Sequence, residues 1–292
     1  KNGLNGQPRK EIGQCKRDSG DSNRVCVGNS DNGGAANANW DHPDNSDDNL
    51  GFRLAVILST FLKEVLSYKL KIYSAEMQDR NQQEKEMTVK QAIDKKFIGN
   101  EWHAYWLALE HGWFTSLGVN SDNLRIRQHN KKELAHYSSD CWDLEYKFPF
   151  GFKEIEGIAD RSDYDLQQHI KYSKQDLSLF DEDEKKKIVP HVVAEPSLGV
   201  DRDFLIFMFE AYEYDKKREN VVLKLHPKLA PVSMGVFPLL SNKKEIVKKA
   251  KEVYDLLKID FNCFYDDRGS IGKRYARQDE IGTLLGCTID FE

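Results

Sequence analysis

At 292 residues the chain has room for two domains of ordinary size, each with its own core. Lys and Arg number 43 against 48 Asp and Glu, a net charge of −5, and 39% hydrophobic with 31% charged residues excludes a fibrous or wholly disordered chain. The longest apolar run, Leu54 to Leu62, is interrupted by Ser59-Thr60 and falls short of the ~20 residues that cross a bilayer. It lies too far from the first residue for a signal-peptide core, so a cytoplasmic protein without a membrane partner is expected. Five scattered cysteines, Cys15, Cys26, Cys141, Cys263 and Cys287, form no CxxC pair and predict free buried thiols.

In chain order, Asn29 to Asn49 holds six Asn and five Asp, too little apolar surface to offset the ~1–2 kcal/mol of backbone entropy lost per ordered residue. We expect a boundary near residue 60 and early proteolysis before it. Asp41, His42 and Asp44 could bind a metal but have no evident scaffold. Apolar residues from Leu54 to Leu66 recur at spacings of three and four, an amphipathic helix. Thr88 predicts the cap of a short helix, and Asn100 to Trp113 a longer one ending near Gly112 or Gly118. On that helix Trp102, Tyr105, Trp106, Leu109 and Trp113 share a face, read as a core stripe in preference to a base-stacking surface.

Asp143 to Asp160 alternates and turns at Pro149-Phe-Gly, predicting an antiparallel hairpin. A strand is expected over Ile188–Glu195 and a buried helix over Asp201–Tyr214. From Val221 onward, strands and helices alternate in an α/β pattern: strands at Val221–Leu225, Val232–Leu239, Phe261–Tyr265 and Cys287–Phe291, helices at Lys243–Lys258 and Gly272–Ile281. The expected organisation is a segment 1–60, a sheet domain 61–219 and an α/β domain 220–292, α+β in all.

Two places could carry chemistry. Period two puts Glu154, Glu156 and Asp160 on one face with Ile158, and three carboxylates together suit an ammonium, a divalent metal or arginine partners; a solvated face with charges paired locally is the alternative. Gly157 leaves room for a ligand's approach. Glu195-Pro-Ser-Leu-Gly-Val-Asp-Arg lies between a strand end and a helix start, where anions are favoured. Arg202 in the first turn opposes the dipole and calls for a ligand or carboxylate partner, with capping by Ser197 or Asp201 the simpler reading of this segment.

The strings Leu124-Arg-Ile-Arg-Gln-His, Leu134-Ala-His-Tyr, Tyr146-Lys-Phe-Pro-Phe-Gly-Phe-Lys-Glu-Ile-Glu-Gly-Ile-Ala-Asp-Arg, Glu195-Pro-Ser-Leu-Gly-Val-Asp-Arg and Tyr265-Asp-Asp-Arg-Gly-Ser-Ile-Gly-Lys-Arg-Tyr-Ala-Arg-Gln-Asp-Glu-Ile-Gly-Thr resemble, in order, the glycyl-tRNA synthetases of the homodimeric class II kind, from about Lys69 to Glu292. The resemblance implies an antiparallel catalytic sheet, here partial, followed by a truncated α/β anticodon-binding domain. The implied activity is glycine–tRNA ligation, in which glycine and ATP, with Mg²⁺, form glycyl-adenylate and the glycyl group passes to tRNA. It implies ATP contacts at Glu154, Ile155, Gly199, Val200, Asp201 and Arg202, and glycine contacts at Glu195, Pro196, Ser197, Leu198 and Gly199. No acid or base residue is implied. Residues 1–55, by Val25-Cys-Val-Gly-Asn-Ser-Asp-Asn-Gly-Gly and Asn37-Ala-Asn-Trp-Asp-His-Pro-Asp-Asn, resemble instead the C-terminal end of formylglycine-generating-type lectin domains.

The first two class II signatures, which build the dimer interface and grip the α-phosphate, are not found before residue 69. We therefore expect an incomplete, inactive fragment of the ligase, and the family's homodimer is not expected here. A non-catalytic tRNA-binding module is the alternative, and a lectin-like binder a third class. Residues 221–292 carry 12 Lys and Arg against 10 Asp and Glu, a slight positive bias of +2. With the resemblance, Arg268, Lys273, Arg274 and Arg277 are expected to contact tRNA, a solvated helix face being the alternative.

Overall fold

The computed structural model describes residues 65–182 and 185–291. The Asn/Asp-rich segment with Asp41, His42 and Asp44, the boundary near residue 60, and most of the helix expected over Leu54–Leu66 lie outside the described residues. Residues 65–67 are helical, and Val65 and Leu66 pack against the core.

The described chain opens with β1 (Lys69–Tyr73), α1 (Ala75–Asp79), β2 (Lys85–Thr88), α2 (Val89–Asp94) and α3 (Glu101–Ser116). Thr88 caps α2 in a full capping box: its hydroxyl accepts from the Gln91 amide at 3.2 Å and its own amide donates to Gln91 Oε1 at 3.0 Å. Asn100 caps α3 through its side-chain oxygen. Then come β3 (Leu124–Gln128), β4 (Asp140–Phe148), β5 (Gly151–Asp160) and α4 (Tyr164–Ser173). The β4–β5 turn is the expected one, and Gly151 at φ 102° takes a conformation that disfavours any side chain.

A small antiparallel hairpin, β6 (Leu179–Asp181) with β7 (Lys186–Ile188), precedes β8 (Glu195–Leu198) and α5 (Val200–Ala211). The strand expected over Ile188–Glu195 is thus replaced by β7, a lone Ser162–Val192 bridge, and β8. Pro190 lacks the amide that a continuous ladder needs there. Strands β2-β1-β3-β4-β5-β8 form one sheet, antiparallel except for β1 with β3. Leu70, Ile72, Leu124, Ile126, Trp142, Leu144, Tyr146, Ile155 and Ile158 from this sheet join Ala104, Leu107 and Phe114 of α3 in the core.

Two packing expectations fail. In α3 the buried side is His103, Ala104, Leu107, Ala108, His111 and Phe114, while Trp102 is 55% exposed and Trp106, Leu109 and Trp113 are also open. The aromatic stripe is therefore not core: close approach to the sheet is made through the smaller side chains. Likewise α5 ends at Ala211 and buries only Asp203, Ile206 and Ala211, with Phe204 66% exposed.

The chain continues as the antiparallel hairpin β9 (Tyr212–Asp215) and β10 (Asn220–Leu223). The boundary expected at 219/220 falls in its turn. The hairpin is held to the elements that follow by Arg218 on Asp279 at 2.7 Å and by Asn220 Nδ2 donating to the Ala276 carbonyl at 3.3 Å. Last come β11 (Met234–Pro238), α6 (Lys244–Leu257), β12 (Cys263–Tyr265), α7 (Ile271–Glu280) and β13 (Leu285–Ile289). Three of the four expected strands form a parallel sheet, β12-β11-β13, whereas the strand expected at Val221–Leu225 pairs antiparallel with β9 in the hairpin. The fold is α+β, with this α/β part at its C-terminal end. No helix among the described residues is long and apolar enough to cross a membrane.

Candidate functional site

One face of the large sheet is covered by helices; the other carries charge. Register fixes three rows on the open face. Arg125 lies opposite Glu145, which lies opposite Glu154. Beside that row run Arg127, Asp143, Gly157 and Ser197, and then Cys141, Ala159 and Glu195. Gly157 and Ala159 form a low floor between the polar side chains. A Cβ on Gly157 would meet only carboxylate oxygens, of Asp143 at 3.7 Å and Glu154 at 3.8 Å.

The expectation that Glu154, Glu156 and Asp160 share one face is corrected. Between Leu144 and Glu145 the register shifts, so the two-residue step from Glu156 to Glu154 opposes a single step on β4. This bulge turns Glu154 to the open face with Glu145 and leaves Glu156 on the covered face with Leu144. Glu156 is 0% exposed and neither of its carboxylate oxygens has a partner. Burial above all, with Glu110 and Asp203 adding repulsion, pushes it up to about 8. Asp203 on α5 is raised by burial to about 6, and its Oδ1 is also without a partner.

On the open face the carboxylates are paired. Arg125 Nε donates to Glu145 at 2.7 Å, Arg127 Nη2 to Asp143 at 2.9 Å, and Arg127 Nε lies 3.1 Å from Glu145. Arg161 bridges β5 to β8, giving Nη1 to Glu195 at 2.8 Å and two bonds to Asp165, with its guanidinium 3.9 Å over the Tyr137 ring. One oxygen of Glu195 is engaged by this ion pair.

Arg202 has the partner its place in the first turn calls for: Nη1 donates to the Glu154 carbonyl at 2.8 Å, and Glu154 Oε1 lies 3.9 Å away. Neither Ser197 nor Asp201 caps α5. Its cap position is Gly199, with no side-chain bond, and so the first amides are left open toward β8. Ile155, named with Glu154, is the bulged residue and points into the core. Pro196, Leu198 and Val200 complete the segment, Leu198 and Val200 being exposed.

The basic residues of the C-terminal part divide. Arg268, Lys273 and Arg277 are exposed, although Arg277 also pairs with Asp266 at 2.5 Å. Arg274 does not belong with them. It is 1% exposed and donates to the carbonyls of Pro238, Arg268, Asp267 and Gly269, clamping the loop before α7 onto the end of β11. The cysteines Cys141, Cys263 and Cys287 are free, as expected, but half-buried.

The sequence reading missed Arg125, Arg127, His129, Asp143 and Glu145 as one charged surface. Its signal was present in the period-two alternation of Leu124-Arg-Ile-Arg-Gln-His facing that of Cys141-Trp-Asp-Leu-Glu.

Residues 231–292 match the anticodon binding domain family. Over 195 residues, 66% of this chain, the sequence is 48% identical to the glycine–tRNA ligase of Acetivibrio thermocellus, covering 41% of that protein. The chain is similar to part of glycine–tRNA ligase. The ligase of Ruminiclostridium cellulolyticum matches at 48% over the same length, and that of Thermobifida fusca at 41% identity over 251 residues, 82% of this chain and 52% of the relative. The chain thus spans about half the length of the curated relatives it matches. The parallel sheet β12-β11-β13 lies within the residues that match the anticodon binding domain family.

Proposed function

We propose that this chain carries the glycine- and ATP-binding surface of a glycine–tRNA ligase, in a catalytic part expected over 61–219, and a tRNA-contacting part after it. The observation that carries the reading is the open face itself, where the floor of Gly157 and Ala159 is rimmed by Glu154, Ser197 and Glu195 beside the uncapped start of α5. Glycine has an ammonium group and no side chain; it fits a shallow floor with a carboxylate at its edge.

In the reaction the glycine carboxylate attacks the α-phosphorus of ATP and pyrophosphate leaves; the tRNA ribose hydroxyl then attacks the glycyl carbonyl and AMP leaves. Glu195 accepts from the ammonium with the oxygen that Arg161 does not use, and Ser197 hydrogen-bonds the substrate. Arg202 and the first amides of α5, Val200 and Asp201, present positive charge to the nucleotide. Glu154 holds Arg202 in place and is the exposed carboxylate able to take a hard cation. Mg²⁺, bound with ATP, supplies neutralisation of phosphate oxygens. The work of the site is positioning and charge stabilisation, with no protein nucleophile. Arg268, Lys273 and Arg277 give the tRNA backbone its cations, in the cytoplasm where charging takes place.

Calorimetric titration of the full chain with a non-hydrolysable glycyl-adenylate analogue tests the pocket. Binding is expected, weakened at least tenfold by Glu195→Ala and by Arg202→Ala. Equal affinity for the alanyl analogue, or indifference to both substitutions, would sink the reading. For tRNA, Lys273→Ala should lower the salt slope of binding by about 1, and an unchanged slope would remove Lys273 from the contact surface.

A further inference from the structure

At one edge of the open face, His129, Cys141 and Asp143 form a cluster that glycine and ATP binding do not use. The His129 amide donates to the Cys141 carbonyl at 2.9 Å, extending the β3–β4 ladder by one residue. Cys141 and Asp143 stand two apart on β4, so both project on the same face, with His129 next to them. A ring nitrogen of His129, Cys141 Sγ and a carboxylate oxygen of Asp143 all lie within 4.8 Å of one another. Among the described residues no other group of His, Cys, Asp and Glu meets that condition.

We propose that these three residues form a zinc site, with the fourth position open to water or another small ligand. The donor set decides the metal. Imidazole, thiolate and carboxylate together suit a borderline cation such as zinc, whereas Mg²⁺ and Ca²⁺ prefer oxygen alone. Spacing agrees, because zinc with bonds of ~2.0–2.3 Å holds its ligand atoms ~3.3–3.8 Å apart, between the 2.8 Å that now separates His129 Nε2 from the Asp143 oxygens and the 4.8 Å within which all three groups lie.

The neighbouring cation agrees as well. Arg127 does not compete for the metal but steadies a ligand, since Nη2 holds Asp143 Oδ2 at 2.9 Å and leaves Oδ1 to bind. Without metal, His129 Nε2 rests 2.8 Å from both Asp143 oxygens, which keeps these two groups together.

The full chain, stripped with a chelator, is titrated with Co²⁺ and then with Zn²⁺. Expected are a thiolate-to-cobalt absorption band in the near ultraviolet and its loss on adding one equivalent of Zn²⁺. Cys141→Ser should abolish the band with circular dichroism unchanged, and His129→Gln should weaken Co²⁺ binding at least tenfold. Cys15, Cys26, Cys263 and Cys287 remain in the first variant, so a band that survives Cys141→Ser overturns the proposal. No band in the unsubstituted chain overturns it too. Because Cys141→Ser changes a single atom, that variant decides the matter even if His129→Gln fails to fold.

Discussion

Adjacent strands of one sheet treat buried carboxylates in opposite ways on their two faces. On the open face Asp143 and Glu145 are nearly inaccessible yet each meets an arginine from β3. On the covered face Glu156 is just as inaccessible and meets none. Residue type and burial are alike, so the partner makes the difference. Burial raises Asp143 too, but His129 and Arg127 beside it oppose the rise, while unpaired Glu156, at about 8, is largely protonated at neutral pH.

Arg127→Met breaks the open-face pairing most directly. It removes the cation that Asp143 and Glu145 share, leaving Glu145 with Arg125 and Asp143 with His129, and removing one partner of a buried pair costs up to ~3–5 kcal/mol. Urea unfolding followed by circular dichroism should show a loss of that size. A loss below ~1 kcal/mol would mean that the open-face carboxylates do not depend on their arginine.

Glu156→Gln sharpens the other side. A carboxyl raised from 4.5 to about 8 contributes stability that is full below its unfolded pKa and is lost as pH rises toward 8. The substitution keeps the shape and removes the titration, so above pH 8 the variant should be the more stable chain, by roughly 2–4 kcal/mol. Its stability should also fall less between pH 5 and 8. Parallel pH profiles for the two chains would contradict the assignment.

His111, also buried under this face, works in the reverse sense. Burial, with Lys71 adding repulsion, lowers it to about 4, and Tyr68 Oη lies 2.9 Å from its Nδ1. A depressed imidazole contributes stability above pH 6.5 that is lost as pH falls through 4. His111→Gln should flatten the acid limb by roughly 1–3 kcal/mol, read from thermal midpoints between pH 4 and 7.

The smallest effect on folding is expected for Gly157→Ala. An added Cβ makes only ordinary contacts, so the unfolding midpoint should move by less than ~0.5 kcal/mol. Binding of the glycyl-adenylate analogue should nonetheless weaken, because the methyl stands on the floor. Unchanged binding would put the pocket elsewhere.

Several elements were legible in the sequence because their signals are local. The Thr88 cap, the hairpin turning at Gly151, and the alternation of β11, α6, β12, α7 and β13 each depend on a few neighbouring residues. The long shared strings also marked β5, β8 and the start of α5 as candidate site segments before any geometry was known. Tertiary structure alone decided which way those segments point. One bulge against β4 put Glu154 and Glu156 on opposite faces, which period-two counting within β5 cannot foresee. The aromatic side of α3 and most of α5 face outward because core position depends on what packs where, not on hydrophobicity along one helix. Arg274 turned inward for the same kind of reason: the carbonyls of Asp267, Arg268 and Gly269 meet it from the adjoining loop, but the Pro238 carbonyl is brought to it from β11 only by the fold.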